Sequence, residues 1–410
     1  MNPSTELRAR RVLIFSLAYF PKAVGGAEIA IKEITDRTPD IEFHMVTNRY
    51  DSTLPKVEQI GNVLVHRIGI ARPNPTMADL RKWPLHFNKF FFQFLAPWTA
   101  IRLHKKYHYD AVWAMMAHSC GVPAALFNMR YPDVPYALTL QEGDPPERIE
   151  RKMFILWPLF ARTFEKASVV QAISTFLGRW ARRRGFTGRL EIIPNAVDVQ
   201  RFSREYSAQE IHEVKDALGK RMGDVFLITT SRLVRKNAVD DVIRALPLMP
   251  QNVRFIILGT GPDEEVLRKL AARPGVADRV TFVGQVGHAD LPKYLKASDI
   301  FIRPSRSEGM GNSFVEAMAA GLPVIATQEG GIADFLFDEK RNPGKPITGF
   351  AVNKDSPKDI AAAVKDIMDH PEKVRAVVRT AKEMVAEKYD WNITAKAMQE
   401  RVFDPLFARG

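Results

Sequence analysis

The chain has one cysteine, Cys120, in 410 residues. No internal disulfide can form, which excludes disulfide-stapled secreted scaffolds and fits a reducing compartment. Cys120 sits in "HSCGVPAAL", the apolar start of a helix, where a buried thiol is a better reading than a nucleophile. No run reaches the ~18 apolar residues of a membrane span. The opening "MNPSTELRARR" is polar and lacks the apolar core of a signal peptide. No low-complexity tract interrupts the chain. No G-x-G-x-x-G follows the first strand of either half, which argues against a dinucleotide oxidoreductase. No group of Asp, His or Cys has metal-ligand spacing, so no metal is expected. Together these absences lead to the expectation of a cytoplasmic protein.

What remains is a composition of 46% hydrophobic and 26% charged residues, with length enough for two domains and their cores. The net charge of +12 is uneven: residues 1–200 carry 27 Lys+Arg against 18 Asp+Glu, the remainder 32 against 29. The basic excess of the first half implies an acidic partner there, whether a phosphorylated substrate, an anionic lipid headgroup or nucleic acid.

Apolar strand-like runs alternate with amphipathic helices throughout. The first half offers "VLIFSLAYF", "EFHMVTN", "VLVHRIGI", "AVWAMM", "PYALTLQ", "SVVQAIS" and "EIIPN". A second series follows with "VFLITTSRL", "VRFIILGTG", "VTFVGQV", "DIFIRPS" and "PVIATQEG". Such alternation predicts parallel sheets covered on both faces, and two series predict two doubly wound α/β domains. The boundary is expected in "PNAVDVQRFSREYSAQE", dividing 1–202 from 203–386. The tail, 387–410, is one more amphipathic helix, expected to pack back on the N-terminal domain.

Parallel sheets bind ligands at the carboxyl ends of their strands. "SRSEGMGNSFVEAMAAG" lies in such a place, as the end of a strand, a glycine loop and a helix closed by Gly321. Gly309 and Gly311, flanking Met310, permit close backbone approach to a ligand. Asn312 or Ser313 is the expected helix cap, and the open helix end favours a phosphate. Glu308 before the loop and Glu316 in the first turn would then stand at either end of a phosphate cradle, each able to bind sugar hydroxyls. The plainer alternative is a solvated Glu308 and a Glu316 that offsets the helix dipole. "TTSRLVRKNAVDDV" sets Arg232 and Lys236 after the first strand of the second series, where two cations can neutralise a diphosphate leaving group. "LGTGPDEE" is a further glycine loop at a strand end, a weak signal by itself. In the first half, Gly25 and Gly26 follow the first strand, readable as close approach to a ligand or as a tight turn. His118 follows "AVWAMM" and is a candidate for the same ligand-facing edge, although a lone histidine is more often structural.

These residues resemble a known family. Glu308–x7–Glu316, Arg232 with Lys236, Gly25-Gly26 and "IIPNAVD" at the junction are similar to the retaining nucleotide-sugar glycosyltransferases of family 4. That family has the GT-B fold, two Rossmann-like domains facing a central cleft. The resemblance implies that Glu316 holds the ribose, Glu308 lies near the donor sugar, and Arg232 and Lys236 grip the pyrophosphate. It implies a metal-independent reaction with retention at the anomeric carbon, no cofactor beyond the nucleotide-sugar substrate, and a catalytic-cleft histidine assigned to His118. The chain departs from the pattern at Ser231, Asn237 and Ala196, where the family often has glycine, and at Gln141, which stands in a histidine slot. An epimerase of nucleotide-sugars on the same fold is the rival enzyme reading. A nucleic-acid-binding protein using the basic first half is the non-enzymatic one, although no nucleic-acid fold signature accompanies the basic residues.

One segment points elsewhere. "LRKWPLHFNKFFFQFLAPWTAIRLHKKYHY" repeats Phe87, Phe90, Phe91, Phe94, Leu95 and Trp98 at helical spacing, with Trp83 ahead and basic flanks. This is the pattern of a helix lying in an anionic membrane interface. The competing expectation is a core-facing helix interrupted at Pro97. The membrane reading places the protein peripherally on the inner membrane face, with a glycan or lipid-linked acceptor.

Overall fold

The computed structural model describes residues 8–22, 25–76 and 79–408. The chain forms two units, one of residues up to Asn195 with those from Trp391 onward, the other Ala196–Asp390. The divisions therefore fall at 195/196 and 390/391, where the sequence placed them at 202/203 and 386/387. Residues 196–202 go with the second unit and the chain from Trp391 with the first.

The first unit is built on eight strands: β1 (Arg10–Phe15), β2 (Ile41–Asn48), β3 (Val57–Ile60), β4 (Val63–Ile68), β5 (Ala111–Met115), β6 (Tyr136–Leu140), β7 (Val169–Ala172) and β8 (Arg189–Ile192). They pair in the order β3-β4-β2-β1-β5-β6-β7-β8. All pairings are parallel except β3 with β4. The inner strands β5 and β6 are buried at every position, as strands covered on both faces must be. The chain winds from β1 to β2 on one side and reaches β5 on the other. The carboxyl ends of β1 and β5 thus flank the topological switch point.

The tail is part of this unit. The helix Trp391–Met398 and the turns after it bring Phe403 edge-on to Phe43 and Trp113, with ring centroids 5.7 and 5.3 Å away. Phe403 is fully buried, and burying such a ring stabilises by about 1.5–3 kcal/mol. Thr394 donates to the Pro194 carbonyl, and Arg401 binds Glu191.

The second unit carries β9 (Val225–Thr230), β10 (Val253–Leu258), β11 (Val280–Gly284), β12 (Ile300–Arg303), β13 (Val324–Ala326) and β14 (Phe350–Ala351). The order is β11-β10-β9-β12-β13-β14, parallel throughout. Here the switch point lies between β9 and β12. Their carboxyl ends deliver the two loops singled out by the sequence, Ser231–Lys236 and Pro304–Gly311.

Candidate functional site

In the second unit, three loops pack backbone to backbone. The Ser231 and Leu233 amides donate to Leu258 and Thr260 carbonyls, holding the cation loop against "GTG". A Cβ on Gly259 would lie 2.0 Å from the Ser231 oxygen, and one on Gly261 would lie 2.2 Å from that of Leu233. No larger residue fits either place, so this glycine loop carries more structural meaning than its sequence conveyed. Buried Leu233 anchors the cation loop, while Asn237 donates to the Arg232 carbonyl at 2.7 Å. Asn237, a departure from the family pattern, thus clamps the loop that carries both cations. Arg232 is exposed and Lys236 half-buried.

The third loop follows β12. Arg303, at the strand's last position, is buried, and its Nη2 donates to Glu308 Oε2 at 2.8 Å. Its Nη1 donates to Ser313 Oγ at 2.7 Å, and its guanidinium carbon sits 4.2 Å from the centroid of the Phe314 ring. Burial pulls Arg303 below the usual arginine range, and the charges of Glu308 and Glu316 oppose that pull. The other Glu308 oxygen, Oε1, accepts from the Gly309 amide at 3.2 Å. The Glu308 carbonyl accepts from Gly331, and Gly330 approaches so closely that a Cβ there would sit 2.0 Å from that oxygen.

Two expectations are corrected here. Neither Asn312 nor Ser313 caps the helix Asn312–Ala320. The cap is Gly311, at φ +90° with no side-chain bond, and the Ser313 hydroxyl is taken by Arg303. Gly311 also has no room for a side chain, since a Cβ would meet the Phe314 ring at 2.6 Å. Glu316 lies past the first turn, which contains no acid. It is therefore too far along to serve mainly as a dipole partner. Instead, Glu316 Oε1 lies 3.3 Å from His288 Nε2, and Arg201 Nη1 lies 3.1 Å from the other ring nitrogen. Sequence reading missed Arg303 and His288. Their partners lie beyond their own elements, and the "VGQVGHAD" loop that carries His288 was not singled out.

In the first unit, Gly25 caps the helix Gly26–Thr35. Its amide donates to Glu28 Oε2 at 2.7 Å, and neither glycine has a positive φ. Glu28 is buried, and that burial raises its pKa. His118 lies in a π-helical turn, Ala117–Gly121, entered through Met116 at φ +70°. That backbone conformation is strained for a residue with a side chain. The Ala117 amide donates to Glu142 Oε1 at 2.6 Å, and the same oxygen lies 3.5 Å from His118 Nδ1. The Glu142 side chain is wholly enclosed and that of His118 is one-third exposed. Glu142 is a further residue that the sequence did not disclose. It sits in "TLQEGD" beside Gln141, whose amide exchanges two hydrogen bonds with Asn195. Cys120 is fully buried, and burial raises its thiol pKa well above normal.

The aromatic segment opens with two short 3-10 turns, Asp79–Arg81 and Leu85–Phe87, so Trp83 and Phe87 precede the helix Asn88–Tyr107. That helix runs unbroken through Pro97, which corrects the expected interruption. Phe92, Ala96 and Ala100 face the core. Trp83, Phe87, Phe90, Phe91, Phe94, Leu95 and Trp98 are all exposed. The core-facing expectation fails for this face. Arg102 stacks on the Trp98 ring. Among the described residues no helix is long and apolar enough to cross a membrane.

Residues 24–201 match the family model described as Glycosyltransferase Family 4, and residues 210–384 match Glycosyl transferases group 1. The chain is similar to the GDP-mannose-dependent alpha-(1-6)-phosphatidylinositol monomannoside mannosyltransferase of Mycobacterium tuberculosis, with 33% identity over 250 residues. The match covers 58% of this chain and 62% of that relative, so it spans about three fifths of the relative's length. Among solved structures, sucrose-phosphate synthase from Thermosynechococcus elongatus superposes with a TM-score of 0.77 at 19% identity, covering 98% of this chain and 100% of that one. The HepE protein of Anabaena, in complex with UDP and glucose, gives 0.74 at 20% identity, covering 96% and 100%. These two are likenesses of fold.

Proposed function

The chain belongs to glycosyltransferase family 4, with the GT-B fold, and from that membership we propose that it transfers a sugar from a nucleoside-diphosphate donor to an acceptor with retention at the anomeric carbon. The observation that carries this reading is the convergence of two cations and two carboxylates at one switch point. Arg232 and Lys236 follow β9, and Glu308 and Glu316 follow β12. The hydrogen bond from the Arg306 amide to the Lys236 carbonyl, 2.7 Å, ties the two loops together.

The chemistry follows from the charges. As the glycosidic bond to the diphosphate breaks, negative charge gathers on the leaving oxygens. Arg232 and Lys236 stabilise it, from a loop whose backbone is held in place before the reaction begins. Glu316, steadied by His288, accepts hydrogen bonds from the ribose hydroxyls. Glu308, fixed by Arg303 and the Gly309 amide, accepts from the donor sugar. The backbone of Gly309, Met310, Gly311, Asn312 and Ser313 lines the helix entrance that the phosphates approach. With Arg232 and Lys236 assigned to the diphosphate charge, we read the reaction as metal-independent, as the resemblance implies. On the first unit, Gly25 and Gly26 are assigned to donor binding by the family resemblance, and His118, backed by Glu142, is assigned to the acceptor hydroxyl.

The acceptor class follows from the exposed aromatic helix. Its apolar face and basic ends suit an anionic lipid surface, and the M. tuberculosis relative is named for a phosphatidylinositol mannoside acceptor. We therefore assign a lipid-linked acceptor taken from the inner membrane face. A panel of nucleotide-sugars, offered with a lipid-linked sugar in anionic vesicles, tests the assignment by mass detection of nucleoside diphosphate and extended lipid. Conversion of the nucleotide-sugar to an isomer, without release of diphosphate, would support the epimerase instead.

A further inference from the structure

Arg306 is not in the cation loop and does not touch either site carboxylate, yet all five of its guanidinium N–H groups are engaged. Nε donates to Asp355 Oδ1 at 2.5 Å. Nη1 donates to the Arg235 carbonyl at 2.7 Å and to Asp240 Oδ1 at 2.9 Å. Nη2 donates to Asp240 Oδ2 at 3.1 Å and to Asp241 Oδ2 at 2.7 Å. Its own amide donates to the Lys236 carbonyl at 2.7 Å. The side chain is 18% exposed, so these bonds are little screened by water. Asp240 and Asp241 open the helix Val239–Ala245, which starts directly after the cation loop. Arg244, one turn along that helix, binds the same two carboxylates, sharing Asp240 Oδ2 with Arg306 and taking the other oxygen of Asp241.

The geometry has a specific consequence. One residue of the Glu308 loop grips the cation loop twice by backbone carbonyls, at Arg235 and Lys236, and grips the helix behind it through two aspartates. A planar, fully bonded guanidinium can fix such an arrangement. A lysine, with three donors on a flexible stem, cannot replace it. We propose that Arg306 is a positioning residue that locks the Lys236 loop to the Glu308 loop, so that the diphosphate contact and the sugar contact form one preset site. The inference rests on the donor reading given above. Arg303 and Arg306, either side of Pro304-Ser305, then divide the work: the first sets the Glu308 carboxylate and the second sets Lys236.

The test uses the full chain and calorimetry with UDP and GDP, keeping whichever the wild type binds, beside the matching nucleoside monophosphate. Arg306→Lys keeps the charge facing Asp240 and Asp241. Arg306→Met with Asp241→Asn guards against a variant that fails to fold. Both are expected to weaken diphosphate binding by ~10- to 100-fold, the order expected when one hydrogen bond between charged groups is lost. Affinity for the monophosphate should hold, since Lys236 is the displaced contact. A residue of purely structural importance would lower the melting temperature and leave both affinities unchanged at a temperature where the variant is folded. That result would overturn the proposal, as would equal losses for monophosphate and diphosphate. Lys236→Ala is measured alongside. If it binds the diphosphate normally, the donor reading itself fails and the inference with it. If it loses binding while the Arg306 variants do not, the inference alone is refuted.

Discussion

The Arg303 guanidinium and the Glu308 carboxylate form a largely buried ion pair at 2.8 Å in the second unit. A buried charge stripped of its partner costs ~3–5 kcal/mol. Arg303→Met should therefore lower stability in chemical denaturation by that order. Adding Glu308→Gln should restore much of the stability without restoring turnover, since Glu308 is also assigned the donor sugar. Full activity in the double variant would remove Glu308 from the site.

His118 and Glu142 offer a separate test in the first unit. Glu142→Gln keeps an oxygen for the Ala117 amide but removes the negative charge 3.5 Å from the His118 ring. Both Glu142→Gln and His118→Ala are expected to reduce transfer, His118→Ala by ~10²-fold, while nucleoside diphosphate affinity stays near wild type. Parallel loss of binding and transfer would place His118 on the donor rather than the acceptor.

Stability should fall in mild acid because of a histidine pair under the first sheet. Burial pushes His66 down to about 4, with nearby His44 and Lys106 adding to the effect, and burial also lowers His44 against the pull of Glu42. An unfolded histidine takes up its proton near 6.5. Between those values the unfolded chain binds more protons, so stability is full above pH 6.5 and declines towards pH 4. His66 alone accounts for about 3 kcal/mol over that window. Urea denaturation at several pH values should show the decline, and His66→Gln should flatten it. An unchanged slope in the variant would show that other groups govern the acid limb.

Membrane association is predicted from the exposed helix face. The wild type should co-sediment with anionic vesicles at low salt and be released at high salt, since each basic residue near such a surface adds about 1 kcal/mol. Replacing Phe91 and Phe94 by serine should abolish sedimentation without lowering the melting temperature, as both rings are exposed. Binding that survives the substitutions would assign the attachment to another surface.

The sequence made the strands and their loops legible where apolar runs end in glycine or charge. β9 and β12 are such places, and Arg232, Lys236, Glu308 and Glu316 were found there. β3 escaped because "VEQI" is half polar and forms an antiparallel edge, paired on one side only. β14 is two residues long and leaves no periodic trace. Arg303 read as the end of an apolar strand, and only the fold brings it to Glu308 and Ser313. Glu142 and His288 are invisible for the same reason: their partners, His118 and Glu316, come from other strands and helices. The cap falls on Gly311, one residue ahead of the expected Asn312/Ser313, and a buried arginine takes the serine hydroxyl, which propensity alone cannot register.

Nucleoside diphosphate binding by wild type, Lys236→Ala and Glu316→Ala tests the central claim most directly. Calorimetry should show one site in the wild type with UDP or GDP, a large loss in both variants with melting temperatures preserved, and turnover lowered by ~10²–10³-fold. Undiminished binding in both folded variants would contradict the assignment of the donor to the switch point between β9 and β12.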